Sequence, residues 1–488
     1  MSKKSKKNKA AAPPTDAFRI DRRTALKGLG ATALLGVANP GCGPDEPMPP
    51  LDFDLLRSRI DTVVMLMMEN RSFDHYFGAL SLAEGRSEVD GLQAGMSNPH
   101  PDGSTVEVYP GEVICLKDPP HSWNTSRAQF NEGANSGFVE QHYQRWGDPE
   151  LAREVMGYFG RETLSTFYTL ADHSVLCDRW FCSQMSSTWP NRFYAMAGQN
   201  GGVHGNDMSP KSFPSIMNRL QDAGIPWADY FANVPFAALL GDLPNDGVQH
   251  FHTIDQFFLD AQRGQLPNFV WVDPAYGRSD DHPPAHPVAG QIYASLIYEA
   301  LASSPQWDRT LFVITYDEHG GFHDHVPPPT AADDREGEGY EQLGFRVPTL
   351  IAGPWVKPGH VSKVTYDHTS FLAFVERLWD LPPLTARDAA ADPMLDVFDH
   401  EALANQLPHP PIKLPTIEAD EAELYAPECT YLATEDDVPT GQPELEAFFD
   451  ANLAGSPLDR RAYIDETWDQ LLRRAKSRGL LRFNSSEL

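Results

Sequence analysis

Two apolar runs in this sequence end on oxygen-bearing side chains: residues 62–68 lead straight into Glu69 and Asn70, and residues 311–316 lead straight into Asp317 and Glu318. Short apolar runs bounded by polar residues read as buried strands, and in a parallel sheet ligands bind at the carboxyl ends of the strands. Three carboxylates and an amide at one sheet edge repel one another unless a cation neutralises them. An all-oxygen set suits a hard or borderline divalent ion, and calcium, manganese, magnesium and zinc are all accommodated with modest changes of geometry. Loops are polar, so a single acidic strand end would mean little. Two such ends, each with paired oxygen ligands, point to a metal site held by Glu69, Asn70, Asp317 and Glu318.

A hydroxyl elsewhere in the chain has the surroundings of a nucleophile. In residues 186–192, Ser-Ser-Thr-Trp-Pro-Asn-Arg, the proline belongs in the first turn of a helix, which puts Thr188 just upstream of the helix N-terminus. Free backbone N–H groups and the helix dipole favour a bound anion such as phosphate there. A hydroxyl touching a metal loses its proton more readily and can attack phosphorus. Alone, the segment reads as an ordinary N-cap or turn threonine. Histidines form a third component: His121, then His282 and His286, then His319, His323 and His325. An imidazole can donate a hydrogen bond to a phosphoryl oxygen or protonate a leaving alcohol. The chain has 17 histidines, so residue type by itself assigns none of them. His319 and His323 have the spacing of helical zinc ligands, but Gly320 and Gly321 between them argue against a helix.

To bring these groups together the chain needs an α/β domain with a mostly parallel sheet flanked by helices, and from Asp61 onward apolar runs do alternate with helical patterns. Strands are expected at 62–68, 268–272, 311–316 and 348–352, and helices at 191–197, 290–303 and 369–379. Residues 58–406 form the expected catalytic domain, preceded by a proline-rich acidic linker at 43–57. Residues 407–488 read as a short acidic, partly helical C-terminal appendage: prolines, an acidic run at 418–423, and an amphipathic stretch at 457–481 whose late Arg473, Arg474 and Lys476 suit the end of a helix.

Four segments together resemble the phosphoesterase family. They are residues 68–78 (Met-Glu-Asn-Arg-Ser-Phe-Asp-His-Tyr-Phe-Gly), 188–192 (Thr-Trp-Pro-Asn-Arg), 316–329 (Tyr-Asp-Glu-His-Gly-Gly-Phe-His-Asp-His-Val-Pro-Pro-Pro) and 346–355 (Arg-Val-Pro-Thr-Leu-Ile-Ala-Gly-Pro-Trp). That family contains bacterial phospholipases C, plant non-specific phospholipases C and bacterial acid phosphatases. The resemblance implies an alkaline-phosphatase-like fold, one divalent metal ion on Glu69, Asn70, Asp317 and Glu318, and Thr188 at the nucleophile position. It also implies phosphate-contacting or proton-transferring roles for His121 and His282, with His325 a weaker candidate. The phosphocholine-preferring bacterial members carry additional C-terminal β-rich domains, so no headgroup preference carries over.

The chain has 488 residues, and 39 basic against 68 acidic side chains leave a net charge of −29. That balance argues against a nucleic-acid binder, and a hydrophobic content of 41% is that of a globular chain. Five lysines between Lys3 and Lys9, the pair Arg22-Arg23 and an apolar stretch at 29–38 resemble a twin-arginine export signal over residues 1–42. Cys42 lies where a lipoprotein cysteine could sit, although Asn39-Pro40-Gly41 is a poor match to the usual approach. Residues 1–42 carry nine basic and two acidic groups, so the remainder carries −36. In a periplasmic or secreted protein, Cys115, Cys177, Cys182 and Cys429 allow three pairings or four buried thiols.

The function expected from these residues is an exported, metal-dependent phospholipase C, with an acid phosphatase acting on phosphomonoesters as the nearest rival and a non-catalytic exported binding protein further off. The partners expected are a phospholipid or phosphomonoester substrate, transient contact with a membrane surface, and the twin-arginine export machinery. Trp123, Trp180 and Trp189 could form an apolar rim for lipid or could belong to the core.

Overall fold

The computed structural model describes residues 50–206, 212–244, 247–429 and 460–484. Residues 1–42, where an export signal is expected, lie outside the described residues, Cys42 included. Of the expected linker, residues 53–57 fold instead into a short helix, Phe53–Arg57, because Asp52 caps it by accepting from Leu55 N at 3.0 Å and Leu56 is buried.

Eight strands form one sheet: β1 (Thr62–Met68), β2 (Val175–Cys177), β3 (Trp227–Phe231), β4 (Phe251–Thr253), β5 (Phe269–Asp273), β6 (Thr310–Tyr316), β7 (Leu350–Ala352) and β8 (His360–Ser362). Their spatial order is β8-β2-β7-β6-β1-β5-β3-β4. Every neighbouring pair is parallel except the two made by β7, which runs against both β6 and β2. All seven residues of β1 and all seven of β6 are buried, which is why both read as unbroken apolar runs rather than alternating ones. The four strands expected from the sequence are present within two residues at each end.

Helices cover the sheet, chief among them α1 (Thr188–Ala197), α2 (Pro287–Ala302) and α3 (His368–Leu378). Fourteen of the sixteen residues of α2 are buried, so it is apolar all round. The tail contributes α4 (Arg460–Ser477) and a parallel pair, Ile417–Ala419 with Leu481–Phe483. Trp468, Leu471, Leu472 and Ala475 of α4 are buried within the main hydrophobic core. A disulfide joins Cys115 to Cys429, while Cys177 and Cys182 are free and buried. Among the described residues, no helix is long and apolar enough to cross a membrane.

Candidate active site

The register of the central strands sets the site. Met68 of β1 lies level with Tyr316 of β6, so the next residues, Glu69-Asn70 and Asp317-Glu318, emerge side by side. Asp317 N donates to Met68 O at 3.0 Å, and Asn70 N donates to Asp317 Oδ1 at 3.1 Å. Asn70 turns the chain with φ +60°, a left-handed conformation that asparagine tolerates better than most residues. A Cβ on Gly320 (φ +64°) would collide with the Asn70 carbonyl, so the two loops lie backbone to backbone. All four expected metal ligands are fully buried at this edge.

Sequence reasoning missed two groups that organise the edge. Arg192 of α1 is fully buried and reaches Glu69 Oε1 at 3.2 Å, Asp273 Oδ1 at 3.2 Å and Asp317 Oδ2 at 3.4 Å. Asp273 ends β5 just as Glu69 follows β1, so the same strand-end signal, carried by one carboxylate rather than a pair, was present in the sequence. His368 is the second group: Trp180 Nε1 donates to its Nδ1 at 3.2 Å, which leaves Nε2–H to donate to the Asp317 carbonyl at 2.7 Å. A tryptophan N–H only donates, so this pair fixes the tautomer of His368.

Thr188 is the first residue of α1 rather than the residue before it, with Ser187 as N-cap and Pro190 in the first turn. Asn191 fixes the loop that leads in, accepting from Gln184 N at 2.9 Å and donating to the carbonyls of Gln184, Ser186 and Ser187. Thr188 Oγ1 is buried without a hydrogen-bond partner. Thr188 and Arg192 are one turn apart on the same face of the helix. The contacts of Arg192 therefore direct the Thr188 face toward the carboxylate edge.

His121 and His282 join the site. Asn70 Nδ2 lies 3.3 Å from His121 Nε2, Glu318 Oε1 lies 3.8 Å from the same nitrogen, and the two imidazole rings are 5.9 Å apart. Each ring donates Nδ1–H to a backbone carbonyl, His121 to Pro119 at 2.7 Å and His282 to Pro283 at 2.6 Å, which presents Nε2 to the site. Asp280 holds the second loop, its carbonyl accepting from Glu69 N at 2.8 Å and its carboxylate from His282 N at 3.2 Å. Burial lowers the proton affinity of His282. Burial also works against charge on His121, but Glu318 and Asp118 outweigh it and hold that ring at about 9.

Of the remaining histidines, His319 borders the edge, its Nδ1 3.1 Å from Glu318 Oε2, and the others lie away from it. His325 pairs with Asp74 at 2.7 Å and Asp90 at 3.3 Å in a cluster filled by Arg346, which reaches Asp74 and Asp324 at 2.9 Å each. His286 caps α2 by accepting from Val288 N at 3.1 Å. His319 faces Gln129 at 2.9 Å, and His323 packs against Phe138. Gly320 and Gly321 both have positive φ, so no helix runs through His319 and His323. Trp180 and Trp189 are core, whereas Trp123 is half-buried between the Arg127 guanidinium and the His204 ring.

The donor set fits a divalent cation. Asn70 Oδ1 and Glu318 Oε1 are buried with no hydrogen-bond partner. Burial raises Glu69 well above the ordinary carboxyl range, and burial with Asp317 beside it lifts Glu318 to about 8. Oxygens placed so, with too little positive charge among them, are what a hard cation satisfies. Among the described residues, two groups of His, Asp or Glu have ligand atoms close together, Asp118, His121 and His282 beside Asn70, and Asp74, Asp324 and His325, which Arg346 fills; Glu69, Asp317 and Glu318 do not form such a group.

Residues 60–382 match the model of the phosphoesterase family. The chain belongs to that family. It is 35% identical to non-specific phospholipase C1 of Arabidopsis thaliana over 69% of this chain and 70% of that protein. It is 32% identical to phospholipase C B of Mycobacterium tuberculosis over 72% of this chain and 80% of that one. Among solved structures, an alkaline phosphatase superfamily protein from Vibrio parahaemolyticus aligns with 70% of this chain and 77% of its own, at 11% identity and a TM-score of 0.33. This phosphoesterase is a hydrolase acting on phosphoester bonds, built on a mostly parallel α/β sheet.

Proposed function

We propose that this phosphoesterase is an exported, metal-dependent phospholipase C that cleaves glycerophospholipids to diacylglycerol and a phosphorylated headgroup, with Thr188 as nucleophile. The observation that carries the reading is the Thr188 hydroxyl, buried and unpartnered on a helix whose Arg192 is anchored among Glu69, Asp273 and Asp317. Two relatives that cover more than two thirds of their length with this chain are named phospholipases C. The Cys115–Cys429 disulfide supports export, because disulfides persist in oxidising compartments.

Glu69, Asn70, Asp317 and Glu318 would hold the divalent ion, which when bound lowers the pKa of a hydroxyl and stabilises charge on phosphoryl oxygens. The protein's own residues do the rest. The Gln184–Asn191 bonds and the Arg192 anchor hold the Thr188 oxygen in place before substrate arrives, so little freedom is lost in reaching the attack geometry. The first turn of α1 offers an anion less than the sequence suggested, since Asn206 takes the Trp189 N–H at 2.9 Å and Pro190 has none. Recognition of the phosphoryl oxygens therefore falls more heavily on His121, His282 and the Asn70 amide. Thr188 attacks as the alkoxide, its proton having left to solvent; the attack forms a Thr188 O–P bond and breaks the bond from phosphorus to the glycerol oxygen, and His121 or His282 supplies the proton to the departing diacylglycerol. Water then attacks the phosphorus of this headgroup-bearing phosphodiester, breaks the Thr188 O–P bond, and releases the phosphorylated headgroup with the threonine hydroxyl restored.

Acid quenching of the metal-loaded protein during turnover of a phospholipid, followed by peptide mass spectrometry, tests the covalent step. The expected outcome is phosphate-ester mass on the peptide bearing Thr188, absent from Thr188→Val. Turnover of Thr188→Val at the wild-type rate would remove the nucleophile from the scheme.

A further inference from the structure

A cavity of roughly 300 Å³ opens beside residues 109–116 and shares no lining residue with the candidate active site. Its apolar surface comes from Phe159 and Leu116, both buried, and from the half-buried ring of Tyr109. Its charged groups are Glu112, Glu150, Glu154 and Arg153, three carboxylates to one guanidinium. No ion pair joins these four among the described residues, and Glu154 Oε2 is buried with no hydrogen-bond partner. Burial, with Asp148 nearby, pushes the Glu154 carboxyl up to about 7. Lys117, the other cation near Glu154, lies 4.9 Å over the Trp146 ring. His75 lines the cavity without adding charge, because burial and Arg71 keep its imidazole neutral.

The walls are built before any ligand arrives. Tyr109 pairs with Gly157 in a short parallel ladder, and the disulfide from Cys115 to Cys429 ties down the segment next to Leu116. A buried carboxylate oxygen without a partner is costly, and the complement that satisfies it while covering aromatic and aliphatic surface is a cation with an apolar body. We propose that this cavity binds a small organic cation of the alkylammonium or quaternary ammonium class, its charge against Glu154 and its body against Tyr109 and Phe159.

Calorimetric titration of the whole protein with choline chloride tests the assignment. Wild type is expected to bind one equivalent, and because Glu112, Glu150 and Glu154 line this cavity and not the candidate active site, their variants locate the heat here whether or not the catalytic reading holds. Glu154→Gln, with an unchanged melting temperature, is expected to bind roughly tenfold more weakly. The rim variant Glu112→Gln/Glu150→Gln, altered only at exposed positions, is expected to weaken binding by about threefold and decides the matter should Glu154→Gln fold poorly. No saturable heat with wild type, or wild-type affinity in both the Glu154 and the rim variants, would overturn the proposal.

Discussion

Arg192 holds the buried carboxylate edge together, and in the proposed scheme it also positions the nucleophile. Its guanidinium is the positive charge that Glu69, Asp273 and Asp317 share in the absence of solvent, and it fixes the helix face that bears Thr188. Arg192→Met would leave three buried carboxylates uncompensated, and we expect a loss of about 3–5 kcal/mol in chemical denaturation, together with loss of turnover. The residue is present in the sequence segment that marks Thr188, yet nothing local distinguishes it from a surface arginine. Only packing identifies it, because its three partners come from three different strand ends. His325 shows the reverse case, a histidine inside a conspicuous motif that proves to be bound to Asp74 and Asp90. Burial works against its charge, but the two carboxylates outweigh it and raise it from 6.5 to about 10. A raised folded-state pKa means that this stabilisation is complete below about pH 6.5 and is lost as the pH climbs through about 10. Wild type should therefore lose more melting temperature between pH 7 and pH 10 than His325→Gln does, and equal losses would count against the pairing.

At the level of elements, the strands that lead into Glu69 and Asp317 were legible because burial on both faces leaves a continuous apolar run with an abrupt polar end. The strand expected at 348–352 begins only at Leu350, since a proline has no N–H for the ladder. The helix expected at 191–197 begins three residues earlier, because Pro190 is compatible with a first turn and Ser187 can act as N-cap. The disulfide was not legible: Cys115 and Cys429 are 314 residues apart in sequence, and no local pattern joins them. It links the segment leading to His121 with the C-terminal tail. Cys115→Ser is expected to lower stability by about 2–4 kcal/mol, read as a lower denaturation midpoint. A midpoint equal to wild type would mean that the tail is held to the domain by packing alone.

For the molecule as a whole, the strongest sequence signal was charge. The net −29, and the −36 of residues 43–488, give no electrostatic attraction to an anionic bilayer. If lipid is the substrate, turnover should be faster on zwitterionic vesicles than on vesicles containing phosphatidylserine, and added salt should narrow the gap by screening. The fold and the buried edge of Glu69, Asn70, Asp317 and Glu318 follow from residues adjacent in sequence, whereas the choice between a lipid and a soluble phosphoester depends on the surroundings of the leaving group, which come from distant loops. That choice is best tested by measuring diacylglycerol release from phosphatidylcholine and phosphatidylethanolamine vesicles beside phosphate release from a soluble phosphomonoester, with divalent metal supplied and Thr188→Val as control. The account predicts diacylglycerol release that disappears in the variant and on chelation of the metal. Phosphate release from the soluble ester with no diacylglycerol from either vesicle would contradict it.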